Sequence, residues 1–356
     1  MNADTLDIDS LLDERIESPT GNLETVNLDP DGLDPRIKLL SYSGLQKFHS
    51  CPRKYQLHRL KAIDDEANPE AASNQNLTFA FGHVVGEGIQ DVLDGMTKTE
   101  IIWKLFLGWH ANLTDENPKQ VKSFYWAVLA IQKFISLREN GFLDEYELMV
   151  FNGKPAKELS FRITMPGGFK FRGSVDAVLR HKISGKILVL ECKTSSMVNL
   201  NPTTFKNSSQ GIGYSVVLDV IAPEISSYDV LYLVYLTKDQ VYEQLMFPKT
   251  YLQRASWIQE LLLDIEVIKL YENTGVYPMR GESCSAWGRD CEYLNQCTLS
   301  TALITTSPVV GAVHDDKVYD VELSLEDLIE GQMKKVIPIM ELSMSDAIPQ
   351  DGDITI

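Results

Sequence analysis

Phe171-Arg172-Gly173-Ser174-Val175-Asp176-Ala177-Val178, with the run Leu188-Val189-Leu190-Glu191-Cys192-Lys193 that follows it, decides the reading of this chain. Both runs are apolar and β-branched, and Ser184-Gly185 between them is a turn signal, so together they predict a hairpin. Side chains alternate along a strand, which puts Glu191 and Lys193 on one face and Cys192 on the other. A four-residue loop over 182–185 pairs His181 with Lys186 and sets Asp176 directly opposite Glu191. Two carboxylates facing each other in a sheet repel. A hard divalent cation held between them removes the penalty, and oxygen ligands suit Mg2+ and Mn2+. A neighbouring lysine adds positive charge where an attacking oxygen or a phosphorane develops. The plain alternative is a surface hairpin that happens to carry one Asp, one Glu and one Lys. The flanks argue against it, because Ile187-Leu188-Val189 leads into Glu191 as it would at the buried centre of a sheet.

Outward from the hairpin the pattern stays regular. Upstream, Ser43 is a candidate N-cap for a helix interrupted near Pro52 and resumed through Tyr55, and helices are predicted over 81–93 and 120–137. Strand-like runs follow at 145–151, 157–165, 169–180 and 186–193, with Glu158 opening the strand before the hairpin as a candidate supporting residue. Downstream come a helix over 209–220, strands at 228–237 and 241–247, and a long helix over 250–272. Helices, a strand meander, then helix and strands predict an α/β domain with a central mixed sheet flanked by helices. The expected organisation is an acidic disordered tail over 1–38, a catalytic domain over 39–300 and an acidic C-terminal extension over 301–356. A short amphipathic helix is expected at 321–336.

Several motifs together resemble the PD-(D/E)XK nuclease superfamily, in its RecB-like branch. Gly173-Ser174-Val175-Asp176 with Glu191-Cys192-Lys193 is similar to the core motif, although Val175 stands where the name has proline. Gln210-Gly211-Ile212-Gly213-Tyr214 resembles the Q-x-x-x-Y motif of that branch, and four-residue spacing lets Gln210 and Tyr214 share a helix face. His83 resembles the upstream helix histidine that completes the branch's metal site. Ser41-Tyr42-Ser43 and Cys51-Pro52-Arg53-Lys54-Tyr55 resemble its opening segment. The resemblance implies a restriction-endonuclease-like core, with Mg2+ or Mn2+ held by His83, Asp176, Glu191 and the Cys192 carbonyl. Lys193 would orient the nucleophile, with Gln210 and Tyr214 positioning the phosphate or the lysine. Arg53, Lys54 and Arg172 are candidate contacts to a DNA backbone. The implied activity is DNA hydrolysis, as an exonuclease of recombination, repair or replication in a bacterial or phage-infected cell.

Of five cysteines, Cys284-x6-Cys291-x5-Cys297 form a cluster and Cys51 is remote. Three clustered thiolates plus one distant one can complete a four-coordinate centre. Spacing alone leaves iron-sulfur, structural zinc and unligated thiols open. The resemblance implies a [4Fe-4S] cluster on Cys51, Cys284, Cys291 and Cys297, a clasp joining the N- and C-terminal parts.

The net charge of −17 argues on its face against a nucleic-acid partner. Most of it sits at the ends: residues 1–40 hold ten acidic and three basic side chains, and residues 311–356 hold eleven and three. The near-neutral middle can still present a basic groove to phosphate. The acidic tails are expected to meet a helicase, recombinase or other replication or recombination protein. No apolar run is long enough to span a bilayer, and Met1-Asn2-Ala3-Asp4 opens no signal-peptide pattern, so a cytoplasmic location without membrane partners is expected. Two rival readings are an inactivated DNA-binding subunit that keeps the clasp, and a zinc-stapled interaction protein.

Overall fold

The structure, a computed structural model, describes residues 32–59, 77–110, 122–197, 199–286, 289–297 and 317–347. In chain order the strands are β1 (Leu39–Ser41), β2 (Tyr146–Leu148), β3 (Val150–Phe151), β4 (Lys154–Pro155), β5 (Lys157–Thr164), β6 (Lys170–His181), β7 (Ile187–Ser195), β8 (Ser227–Leu236), β9 (Val241–Thr250), β10 (Ser285–Ala286), β11 (Arg289–Asp290) and β12 (Val321–Ser324). The helices are α1 (Tyr42–Ser50), α2 (Pro52–Arg59), α3 (Leu77–Leu93), α4 (Lys98–His110), α5 (Phe124–Glu139), α6 (Pro202–Lys206), α7 (Ser209–Gly213), α8 (Ser215–Ile221), α9 (Tyr251–Thr274), α10 (Leu294–Cys297) and α11 (Leu325–Ala347).

Eight strands form one mixed sheet in the order β12-β5-β6-β7-β8-β9, with β1 and β2 both pairing with β6. The expected fold class, a mixed central sheet flanked by helices, is what the chain adopts. β7 and β8 run parallel, joined by a crossover through α6, α7 and α8, while β5-β6, β6-β7 and β8-β9 are antiparallel. β8 is buried from Tyr228 to Leu236, as a strand covered on both faces must be.

Each face of the sheet has its own core. On one side Phe81, Val84, Val85 and Ile89 of α3, with Ile131 and Phe134 of α5, pack on Ala177, Leu179, Leu188, Leu190, Leu231 and Leu233. On the other, Leu45, Phe48, Tyr214, Trp257, Leu261 and Ile265 pack on Val175, Val189, Val230 and Tyr232. The α9 helix on this second face opens with Gln253 accepting from the Thr250 amide at 3.0 Å and closes on Gly275 at φ 68°, the left-handed end glycine favours.

Both expected tails differ from the structure at their inner ends. Leu33 and Ile37, assigned to the N-terminal tail, are buried, and the Tyr55 hydroxyl donates to the Ile37 carbonyl at 2.9 Å. Residues 1–31 lie outside the described residues. The C-terminal extension also enters the fold: Val321 to Ser324 pair in parallel with Phe161 to Thr164. Asp320 locks that edge, accepting from the Ser160 amide at 2.9 Å and hydroxyl at 2.8 Å. The helix expected at 321–336 therefore begins only at Leu325, the preceding four residues being strand. It is fixed to α9 by Arg254, which is fully buried, donates to the Leu328 carbonyl at 2.9 Å and pairs with Asp219, as Lys335 does at 3.4 Å. Local acidity hid these contacts, because alternation over four residues is too short a strand signal to outweigh it.

Candidate active site

The hairpin has the expected register. His181 donates its amide to the Lys186 carbonyl at 2.9 Å, and Ala177 stands opposite Leu190, which sets Asp176 opposite Glu191. Glu191 is 2% exposed, on the face of the second core, while Cys192 packs toward α3 on the other. The Cys192 amide donates to Asp176 Oδ2 at 2.7 Å, so this carboxylate reaches across the strand pair.

Around Glu191 four of the expected residues join one network. Gln210 Nε2 donates to Glu191 Oε1 at 2.9 Å, and the Tyr214 hydroxyl donates to Glu191 Oε2. Lys193 forms an ion pair with Glu191 and donates to Gln210 Oε1 at 3.2 Å. Gln210 lies on α7 and Tyr214 just past its end, so the crossover between the two parallel strands delivers both.

Burial first, and the charge of Glu191 second, push the Asp176 carboxyl well above its ordinary range. The same two causes push the Tyr214 hydroxyl up. For Lys193, burial pulls the ammonium down, but Glu191 and Asp176 outweigh it and the net shift is upward. Charge is thus held at this centre by mutual pairing in a dry environment. The two carboxylates and the Cys192 backbone carbonyl are an oxygen donor set that fits a hard divalent cation, and the Lys193 ammonium beside them suits an anionic substrate. Among the described residues, no three His, Cys, Asp or Glu side chains converge closely enough to hold one metal ion by themselves. His83 sits on α3 with Nε2 3.5 Å from Glu87 Oε1, its side chain largely exposed.

Beside the network lies a cavity of about 310 Å3, its lining drawn from Tyr42, Gln46, Arg172, Lys193, Ser209 and Gln210, among others. β1 pairs with β6 up to Ser41 opposite Arg172 and so starts α1 at the mouth of this cavity. A methyl group on Gly173 would lie 2.7 Å from the Phe161 ring, so only glycine fits that wall. Tyr42 was named by sequence only as part of the opening segment, and Gln46 and Ser209 were not singled out, their only signal being membership in segments that flank the motifs. Of the expected backbone contacts, Arg172 lines the cavity. Arg53 is buried, pairs with Gln56 and lies by the cysteines, and Lys54 lies 3.7 Å from Glu292, so both belong elsewhere.

That elsewhere is a second locus. Cys51, Cys284, Cys291 and Cys297 are free thiols that line one small cavity with Lys54, Leu57, Met279, Tyr293 and Leu294. Burial, and then the proximity of the other three cysteines against the opposing pull of Arg53, push the Cys297 thiol up. Ser283 Oγ donates to the Ser50 carbonyl at 2.7 Å, the Arg53 amide donates to the Pro278 carbonyl at 3.2 Å, and Tyr293 Oη lies 3.2 Å from His58 Nδ1. The remote cysteine and the clustered three thus meet, with Cys192 set apart in the sheet.

A family model described as the PD-(D/E)XK nuclease superfamily matches residues 39–298. One solved structure, described as "Crystal structure of SSO0001", is similar at 14% identity over 65% of this chain and 76% of that one, with a TM-score of 0.28. No curated protein matches the chain. No helix among the described residues is long and apolar enough to cross a membrane.

Proposed function

The chain belongs to the PD-(D/E)XK nuclease superfamily, and on that premise we propose that it is a Mg2+- or Mn2+-dependent deoxyribonuclease acting as an exonuclease. The observation that carries the reading is the network of Glu191, Lys193, Gln210 and Tyr214, with Asp176 opposite, beside a cavity lined by Arg172. Asp176, Glu191 and the Cys192 carbonyl would hold the ion, with His83 on α3 as a further ligand. When bound, a divalent ion polarises a phosphate oxygen and makes water a better nucleophile at neutral pH. Lys193 then orients the attacking water and stabilises charge on the phosphate. Gln210 fixes Lys193 and Glu191 relative to each other, and Tyr214 holds the second Glu191 oxygen.

The cysteine corner supports a [4Fe-4S] cluster as a structural clasp. Four free thiols line one cavity, and the resemblance of the chain's motifs to the iron-sulfur members of the RecB-like branch favours a cubane over zinc there. The intact Asp176, Glu191 and Lys193 favour an active enzyme over an inactivated DNA-binding subunit. The pathway we infer is recombination, repair or replication in the cytoplasm, with the acidic ends of the chain meeting a protein partner.

The test is cleavage of end-labelled linear DNA and of closed circular DNA, with Mg2+ or Mn2+ and with EDTA. Loss of linear DNA alone, abolished by EDTA, is the expected result. Cutting of the circle would make the enzyme an endonuclease, and no cutting of either would remove the nuclease assignment.

A further inference from the structure

Helix α4 buries one stripe, Ile101, Leu105 and Trp109 at four-residue spacing, in the core it shares with α3 and α5. A second set of apolar residues stands off that stripe. Trp103, Phe106 and Leu107 are 61%, 41% and 51% exposed, and Tyr125 in the first turn of α5 is 66% exposed. The rings touch one another. Trp103 and Phe106 stack with centroids 5.7 Å apart and planes 23° apart, and Phe106 meets Phe124 edge-on at 5.8 Å. Tyr125 meets Trp126 edge-on at 5.3 Å. Among the described residues, Trp103, Phe106 and Tyr125 are the only large aromatic side chains that are exposed, and the other exposed large apolar side chains are leucines, isoleucines, valines and methionines. Single exposed aliphatics are ordinary on a protein surface. Gathering every exposed ring on one surface is not.

This surface is joined to the helix that carries His83. Gly88 of α3 lets Leu105 approach closely, and Lys104 pairs with Asp91 at 2.8 Å, so α4 runs back along α3 toward the His83 end. Lys122 Nζ donates to Thr78 Oγ1 at 3.1 Å, which ties the start of α5 to the first turn of α3. Charge sets the same stretch apart. Residues 98–138 hold six basic and three acidic side chains, a net of +3 that leaves −20 for the rest of a chain at −17. A polyanion is drawn to such a stretch and repelled by most of the remainder.

We propose that the α4–α5 surface binds an unpaired DNA strand outside the cleavage centre, with Trp103, Phe106 and Tyr125 stacking its bases and Lys122 and Lys133 meeting its phosphates. Every base has a face to stack, so exposed rings with cationic neighbours hold a single strand whatever its sequence. In a duplex those faces are already covered by neighbouring bases. Lys133 lies two turns beyond Tyr125 on the same stripe of α5, where the backbone of such a strand passes. That the strand is DNA rests on the nuclease reading. Leu107 alone speaks for a protein partner, whereas the rings and the positive charge speak for a strand.

The experiment is fluorescence anisotropy with a labelled oligothymidylate and a labelled duplex of equal length, in EDTA so that neither is cut. The full chain is compared with Trp103→Ala, Tyr125→Ala, Trp103→Phe and the double alanine variant, with melting temperatures and sedimentation velocity recorded for each. Each alanine should weaken oligothymidylate binding about fivefold to a hundredfold, the worth of one base–aromatic stack. Trp103→Phe should keep most of the affinity, and duplex binding should not respond to any of the substitutions. Melting temperatures should be unchanged, because the replaced rings are exposed. Wild-type affinity for oligothymidylate in the double variant overturns the proposal, as does an equal loss on duplex. Self-association that the double variant loses while strand binding stays intact also overturns it, and makes the surface a contact between copies. A chain that binds the strand through these rings yet cuts no DNA leaves the proposal standing and removes the nuclease reading alone.

Discussion

The carboxylate centre and the cysteine corner are built by opposite means. The first draws Asp176, Glu191 and Lys193 from two adjacent strands, so backbone register alone sets their relation. Gln210 and Tyr214 then lock onto Glu191 through direct hydrogen bonds. The second draws Cys51 from the start of the fold and Cys284, Cys291 and Cys297 from its far end. Its four thiols share a cavity, and the bonds that bring them together, such as Ser283 to Ser50, come from their neighbours. One site is complete in its protein contacts and strained by its charges. The other is assembled by bonds between the segments that carry its thiols. Removing a residue from the first should cost activity while leaving the fold, and removing one from the second should cost the fold.

The sharpest break of that contrast is at the first site. Glu191→Ala or Lys193→Ala should lower the cleavage rate by about a hundredfold to a thousandfold or more, measured under single-turnover conditions, with the far-ultraviolet circular dichroism unchanged. Robust cutting by Glu191→Ala would end the active-site assignment. At the corner, protein purified without oxygen should be brown with about four irons per chain. Serine at Cys51, Cys284, Cys291 or Cys297 should remove the colour and lower the melting temperature, because thiolate ligation contributes folding energy. Cys192→Ser should keep the colour, and a colour lost only there would overturn the ligand set.

A smaller effect tests the strain. Asp176→Asn should raise the melting temperature in EDTA by roughly 1–4 °C while destroying activity, since it removes a group whose ionisation burial and Glu191 oppose. Burial and Glu191 keep the folded Asp176 carboxyl protonated where the unfolded chain has already ionised. Metal-free stability should therefore fall as pH rises from about 4 upward, and the Asn variant should lack that slope. The smallest effect belongs to His49 of α1, beside Cys51. A hydrogen bond that its Nε2 donates to the Asp264 carboxylate at 2.9 Å raises its pKa against partial burial. The contact stabilises fully below the ordinary histidine value and fades as pH climbs through the raised one. His49→Gln should flatten that part of the stability profile only slightly, because the side chain is largely exposed.

How far each region could be read from sequence follows the same division. Strand alternation and one turn were enough to place Asp176 opposite Glu191 and to turn Cys192 away, because a period of two leaves no other register once one face is buried. Gln210 and Tyr214 were legible as a motif. Gln90 of α3 was not, since a buried glutamine on an apolar helix has no local pattern, and only the strand that crosses it reveals its partner, Glu158. The same holds for Arg254 with Asp219, and for Leu33 and Ile37, whose burial depends on what packs over them. Arg53 and Lys54 misled for the converse reason: cationic residues near a motif read as phosphate contacts until the fold turns them toward the cysteines.

β12 bears on how this protein can be handled and how it is made. The family match ends at residue 298, twenty-three residues before this strand begins. A fragment cut at that boundary keeps every proposed catalytic group yet leaves β5 without its outer neighbour, presenting open amides and carbonyls to the next copy. On a translating ribosome the same open edge lasts until β12 has left the exit tunnel and paired, and the acidic side chains of that strand and the helix after it, Glu322, Glu326 and Asp327 among them, disfavour pairing with another copy.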